Sequence, residues 1–570
     1  MSHPRQLCPS QHDHGPSDGG REHEAGRGTW FLRATGLAAL IWFLVRVVPR
    51  PSRARYPCQR VAFPLASGFV LWLAGTLGVG VLVKKATQAL RRSRRTAFGG
   101  LLAAAVGAAL LTMAVSDDGP AMAAPQPANR PLGVAQGIHP GRVVWVHERD
   151  ATDWVGPGTG VLWYKHIDQA VVDRMLAEAV TNLTGKPSVA AAWDALFRHL
   201  NRTRGRGPVG YRPGEKVAIK VNHTLSGESD PMRMGKPWQY ADCVDNSPQL
   251  TIALLKQLTE NAGVVPGDIA VGDPSRLMPN YWYRMVSETV GLEDVVYLTL
   301  YGSPASGRRM VRYSDVPLRW SDPDPERTEH VGRQDFLPVC FAEADYIINF
   351  AVLKTHQYNG VTLCAKNHYG SLIRNPIGVD PHPAGQYYNM HRTLVTETPG
   401  TGHYRCLVDL MGHPHLGGKT VLYLIDGLFA GQGWEGAPTR WQMEPFNGDW
   451  PNSIFVSQDP VAIDSVGYDF LRTEWPDGYA GVEGVDDYLH EAAQAPAPPS
   501  GAIYDPDGDG VPLRSLGVHE HWDNAEEKRY SRNLGAGDGI ELIPVEPGAA
   551  GRAAAGRTTR AAVSAGTAGG

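Results

Sequence analysis

Residues 215–272 run strand, helix, strand, and this succession constrains the fold more than any other feature of the chain. Residues 215–222 (EKVAIKVN) have the length and apolar content of a buried strand. Ser247 and Pro248 then open a helix, with serine at the N-cap and proline at the first helical position. Leu250, Ile252, Leu254, Leu255 and Leu258 give that helix an apolar face, and Gly263 ends it. Residues 268–272 (DIAVG) read as the next strand. Such a unit predicts an α/β domain built on a mostly parallel sheet flanked by helices. The alternation continues with strands over 345–351, 420–426 (TVLYLID) and 453–457. The last is followed by a helix through Val461, Ile463, Val466, Phe470 and Leu471.

Open α/β sheets bind ligands beyond the carboxyl ends of their strands. The polar residues at those positions are Lys220, Asn222, His223, Asp273, Lys354, His356, Asp426, Asp459 and Asp464. Lys366, Asn367, His368, His382 and His391 follow Lys354 and His356 closely, making the densest polar cluster in the chain. Histidine serves as a neutral metal ligand or as an acid–base group, and lysine stabilises anions. The pattern predicts a site for a small carboxylate- or phosphate-bearing substrate. Lys354, His356, Lys366 and His368 are its candidate catalytic residues. Lys220, Asn222, Asp273, Asn367, Asp426 and Asp459 are its candidate substrate-binding residues. The competing reading is a set of hydrogen-bonded structural residues around a long loop.

Three groups are candidate ligands for a divalent metal ion. The first is His356 with His368. The second is His519 with His521, which project from one face if they lie on a strand. The third is Asp505, Asp507 and Asp509, alternating as in the start of a calcium loop. Leu516 stands where an EF-hand needs glutamate, which excludes that motif. His413 and His415 are either a further ligand pair or an exposed turn, and Tyr281, Trp282 and Tyr283 are core or cleft wall. No phosphate-binding G-x-x-x-x-G-K-[ST] loop and no G-x-S-x-G elbow is present.

Several of these segments are similar to domain-of-unknown-function family 362. The residues that carry the likeness are Lys354-Thr355-His356, Lys366-Asn367-His368-Tyr369-Gly370, the VAIKVN strand, the Ser-Pro-Gln-Leu helix start, Val271-Gly272-Asp273, and the run from Ser457 through Asp459 to Asp464. The resemblance covers roughly residues 217–471 and implies an α/β fold with no assigned activity. Some relatives carry a cysteine-rich ferredoxin-like module. Here no two of the six cysteines form a C-x-x-C pair, so no iron–sulfur cluster is expected. Cys243, Cys340, Cys364 and Cys406 are open to two readings, as two disulfides or as buried thiols.

The amino-terminal part is of another kind. Residues 1–124 hold 15 basic and 6 acidic residues (15 − 6 = +9), and the remainder holds 39 and 52 (39 − 52 = −13). An acidic body repels phosphate backbones, which argues against nucleic acid as a partner. Apolar stretches at 30–48, 61–83 and 97–115 are separated by arginine clusters, which predicts membrane insertion. The positive-inside rule places both clusters in the cytoplasm, which a fully spanning second stretch does not allow. The Ser93-Arg94-Arg95-Thr96-Ala97-Phe98 segment, followed by Ala121-Met122-Ala123, resembles a twin-arginine export signal; the alternative is a final membrane helix with cytoplasmic arginines, and both readings put the large domain outside. The expected organisation is therefore a disordered tail (1–28), membrane segments (29–117), a linker (118–132), the α/β domain (133–547) and a second disordered tail (548–570). The protein is expected in the membrane with its large domain extracytoplasmic. Its expected function is a metal-assisted enzyme acting on a small anion, the alternative being a non-catalytic ligand- or metal-binding accessory protein.

Overall fold

In the computed structural model, residues 84–85, 129–224, 243–300, 306–322, 335–373 and 390–546 are described. The three apolar stretches, the signal-like segment, both tails and His382 lie outside them, Lys84 and Lys85 excepted. Among the described residues no helix is long and apolar enough to cross a membrane. The chain divides after Pro125, and all other described residues belong to the second unit.

A ten-stranded mixed sheet organises that unit. Its strands are β1 (Arg142–His147), β2 (Val217–Lys220), β3 (Ile269–Gly272), β4 (Val296–Thr299), β5 (Arg309–Met310), β6 (Tyr346–His356), β7 (Gly360–Thr362), β8 (Thr420–Gly431), β9 (Ser453–Ser457) and β10 (Glu541–Val545). Their order is β10-β1-β9-β8-β6-β2-β3-β4-β5, with β7 folded back on β6. From β8 through β6, β2, β3 and β4 to β5 every neighbour is parallel. β9 runs antiparallel to both β8 and β1, and β7 runs antiparallel to β6. The mostly parallel sheet expected from sequence is thus a mixed one, with one reversed strand inserted between parallel neighbours.

Helices cover both faces. Helices α1 (Gln169–Thr184), α2 (Val189–Thr203), α3 (Pro248–Lys256) and α4 (Asn280–Ser287) pack against one core. Helices α5 (Cys364–Tyr369), α6 (Cys406–Gly412), α7 (Pro460–Glu474) and α8 (Asp487–Ala493) pack against the other. The two-residue period of β6 feeds both: Ile348, Phe350 and Val352 enter the first core, Ile347, Ala351 and Leu353 the second. β8 breaks that period near its start. A register shift between Thr420 and Leu422 sends both Val421 and Leu422 into the first core.

Local sequence explains most boundaries. Asp168 caps α1 by accepting the Val171 N–H (3.0 Å), and Gly185 closes it at φ 66°. Pro248 opens α3 as expected. β6 and β8 run five residues further than the strands read from sequence, at 345–351 and 420–426; the added part of β6 buries Lys354, Thr355 and His356, and that of β8 buries the apolar run 427–431. The four cysteines of the described residues are free thiols; Cys243, Cys364 and Cys406 are buried.

Candidate functional site

The parallel strands β2, β3 and β6 end at one edge, and a cleft opens there. β2 leads into Asn222, His223 and Thr224, and β3 into Asp273, Ser275 and Arg276. β6 ends at Lys354 and His356, then turns at Gly360 so that Thr362 of β7 pairs with Lys354. Gly360 sits at φ 77°, where a side chain would meet Val485, so glycine is required at this turn. α5 contributes Lys366 and Tyr369, and Trp434 completes the wall. The cavity volume is about 50 Å³, well below that of clefts for drug-sized ligands, so only a very small ligand or part of one fits.

A charged network lies at the base of the cleft. The buried Lys220 ammonium donates to Asp273 Oδ2 (3.1 Å), Asn367 Oδ1 (2.9 Å) and the Val221 carbonyl (2.5 Å). Asp273 also accepts from the Ser275 hydroxyl (2.8 Å) and the His223 N–H (3.2 Å). Burial pushes the Asp273 carboxyl up, but Lys220, His223 and Arg276 together outweigh it and hold it below its ordinary value. Burial lowers Lys220, partly offset by Asp273. Lys354 donates to Thr224 Oγ1 (2.6 Å), the Val244 carbonyl (2.7 Å) and the Trp434 carbonyl (3.3 Å). Burial brings it down to about 8. Each of these lysines uses all three donors on protein acceptors, so each lends the cleft its charge rather than an N–H. Lys366 and Arg276 are placed differently, over the rings of Tyr369 (4.5 Å) and Trp434 (5.3 Å).

His356 lines the cleft, and its Nδ1 accepts the Tyr358 N–H (3.0 Å). In the neutral ring the proton then sits on Nε2, so His356 is a hydrogen-bond donor there and does not offer a lone pair to a metal. His368 is buried away from the cleft lining. Its Nδ1 faces Ser371 Oγ (3.4 Å), its Nε2 has no partner, and burial pushes it down to about 3. Of the expected pair, His356 lines the cleft and His368 does not, and among the described residues no group of three or more candidate metal ligands includes either.

Three expected substrate ligands have structural partners instead. Asn367 is fully buried behind Lys220 and donates to Asn349 Oδ1 (2.8 Å). Asp426 accepts from both the N–H (2.7 Å) and the hydroxyl (2.8 Å) of Ser247, fixing the start of α3, and burial pushes it up to about 6. Asp459 caps α7, accepting from Val461, Ala462, Gln136 and Val518 N–H groups, and burial pushes it up to about 7. It lies at the opposite edge because β9 is reversed: Ser457 pairs with Tyr423, near the start of β8. Asp464 likewise binds the Cys364 and Ala365 N–H groups at the start of α5.

Asp505, Asp507 and Asp509 do come together. Asp505 already accepts the N–H groups of Asp509 and Gly510, and Arg319 packs against Gly508 in the same turn. His413 and His415 bond the Pro317 and Ala342 carbonyls and form a turn rather than a ligand pair. His391 contacts the Tyr369 hydroxyl (3.3 Å), and Trp282 is core, donating to the Asn246 carbonyl (3.1 Å). His519 gathers with Asp486 and His490, and His521 adjoins them. Burial holds His519 well below its usual value. Burial works the same way on His521, but Asp469 and Asp486 outweigh it and push it up to about 10.

Sequence reasoning missed Arg276, Thr362 and Trp434. Arg276 stands only three residues past Asp273, and the strand-end rule would have found it. Nothing local marks Thr362 or Trp434, which chain reversal brings back to the cleft.

Fold and cleft together define an α/β protein with a cationic pocket at the carboxyl edge of its sheet. Residues 217–469 match the family model described as a domain of unknown function, DUF362. The matched segment contains every residue that lines the cleft. No curated protein and no solved structure matches the chain.

Proposed function

We propose that the cleft binds a small ligand bearing a carboxylate or phosphate group, and that His356 gives that ligand a hydrogen bond. Charge carries this reading. The lining holds Arg276, Lys354 and Lys366 against Asp273, three minus one leaving +2 with neutral histidines. Asn222 Oδ1 and Thr362 Oγ1, both at the cleft, have no hydrogen-bond partner, and a ligand hydroxyl or amine would satisfy them. Turnover would use the His356 Nε2–H as a hydrogen-bond donor to charge developing on the ligand, beside the lysine charges. The saturated donors of Lys220 and Lys354 favour a second reading, in which the ligand is held and not converted. We place the domain outside the cytoplasmic membrane, tethered by its amino-terminal apolar stretches; the charge asymmetry and the signal-like segment support that placement.

Titration calorimetry of the full-length chain with sulfate and with acetate tests the binding. Arg276→Gln should weaken sulfate by about tenfold or more, the worth of a charge-assisted hydrogen bond. It should leave the melting temperature nearly unchanged, since Arg276 is only half-buried. Equal affinity in the two proteins, or no saturable binding of either anion by the parent, would sink the reading.

A further inference from the structure

We infer that Asp486, His490, His519 and His521 bind one divalent transition-metal ion of the zinc class, at a site separate from the cleft. Asp486 and His490 lie four residues apart at α8, on one face of the helix. One ligand atom from each of Asp486, His490 and His519 lies within 4.8 Å of the others. His521 Nε2 stands 3.3 Å from the Asp486 carboxylate, and the rings of His519 and His521 are 4.9 Å apart. Tetrahedral zinc with ligands near 2.0–2.1 Å needs donors about 3.3–3.5 Å apart; His521 Nε2 already stands at that distance from Asp486 Oδ2, and His490 Nε2 is 3.7 Å from the same oxygen.

The hydrogen bonds behind the cluster set the tautomers that a metal requires. The Ser465 hydroxyl gives its single proton to the Val461 carbonyl (2.7 Å), so its oxygen accepts from His519 Nδ1 (2.9 Å). His519 therefore carries its proton on Nδ1 and turns the Nε2 lone pair toward Asp486 and His490. Asp469 accepts from His521 Nδ1 (2.6 Å), and Nε2 faces Asp486 Oδ2 (3.3 Å), so the ion would take the place of the proton shared between those two atoms. Asp469 is itself held by the Trp522 N–H (3.0 Å) and the Tyr530 hydroxyl (2.8 Å). Ser465 and Asp469 are one turn apart on α7, so a single helix face orients two histidines, one through a hydroxyl and one through a carboxylate. Outer partners of this kind fix ligand orientation in metal sites. Three imidazoles and one carboxylate suit zinc or its neighbours better than calcium or magnesium, which take all-oxygen shells. His490 and His521 are partly exposed, which gives an ion a way in. All four residues lie beyond residue 469, outside the segment that matches the family model. The bound ion would tie α8 to the strand that begins at Val518.

The test is metal analysis of the full-length chain, purified without a histidine tag or chelator, followed by cobalt titration. The expected result is about one equivalent of ion per chain and the visible bands of four-coordinate cobalt. His490→Ala, at a partly exposed position, should lose the bands while the protein stays folded. Ser465→Ala should weaken the ion by about tenfold, a positioning effect. His3, His12, His14 and His23 provide a competing source of binding. Cobalt bands unchanged in both His490→Ala and Asp486→Ala would assign the ion to those residues and overturn the site. Absence of stoichiometric cobalt or zinc binding by folded parent protein would overturn it equally.

Discussion

Lys354 combines charge and burial in a way that can be read from pH. Its ammonium is held by three neutral acceptors and brought down to about 8, against about 10.4 for a free lysine. Below about pH 7 the group is fully charged, and as pH rises through about 8 the cleft loses one positive charge. Anion affinity should therefore fall with rising pH. Sulfate keeps its own charge across this window, and its Kd should weaken by up to about tenfold between pH 7 and pH 9. Lys354→Met should flatten the profile. The same slope in parent and variant, followed by calorimetry, would assign the titration to another group. At this scale the sequence was a good guide to residue type: Asn222, Asp273, Lys354, His356 and Lys366 all line the cleft. It was a poor guide to His368, because a position two residues after a cleft lysine on a short helix points to another side.

The reversal of β9 is the decisive element-level feature. A strand ending in Ser-Gln-Asp looks like its parallel neighbours in sequence, since period and composition carry no direction. Its antiparallel pairing puts Asp459 at the far edge, where it binds four backbone N–H groups and starts α7. Asp459→Ala should destabilise the domain by about 2 kcal/mol or more, combining a lost N-cap with buried donors left unpaired. Urea denaturation measures that loss, and sulfate affinity of the folded variant should match the parent. A variant of parental stability that had lost sulfate binding would return Asp459 to the ligand. Element identity was otherwise legible: 453–457 and the α7 face were read in place, and β2 and β3 to within a few residues; α3 starts where expected, and beyond Lys256 a π turn over Gln257–Asn261 carries it toward Gly263. The added length of β6 was not legible, because only neighbouring strands and helices bury residues as polar as Lys354 and Thr355.

Across the whole chain, the basic amino-terminal part and the acidic remainder argue for a topology that a fusion can check. An alkaline phosphatase fused after Arg130 should be active, and a cytoplasmic fluorescent reporter at the same point should be dark. The opposite pattern would place the domain in the cytoplasm. The sequence by itself determined the α/β class, the start of α3 and most of the cleft's charged residues, because strand and helix periods, a Ser-Pro start and strand-end polarity are local properties. Only the tertiary structure decided which strand runs backward, which carboxylates serve as caps, and that Asp486 and His490 meet His519. Those outcomes depend on pairing between segments far apart in the chain, and no local pattern encodes a distant partner.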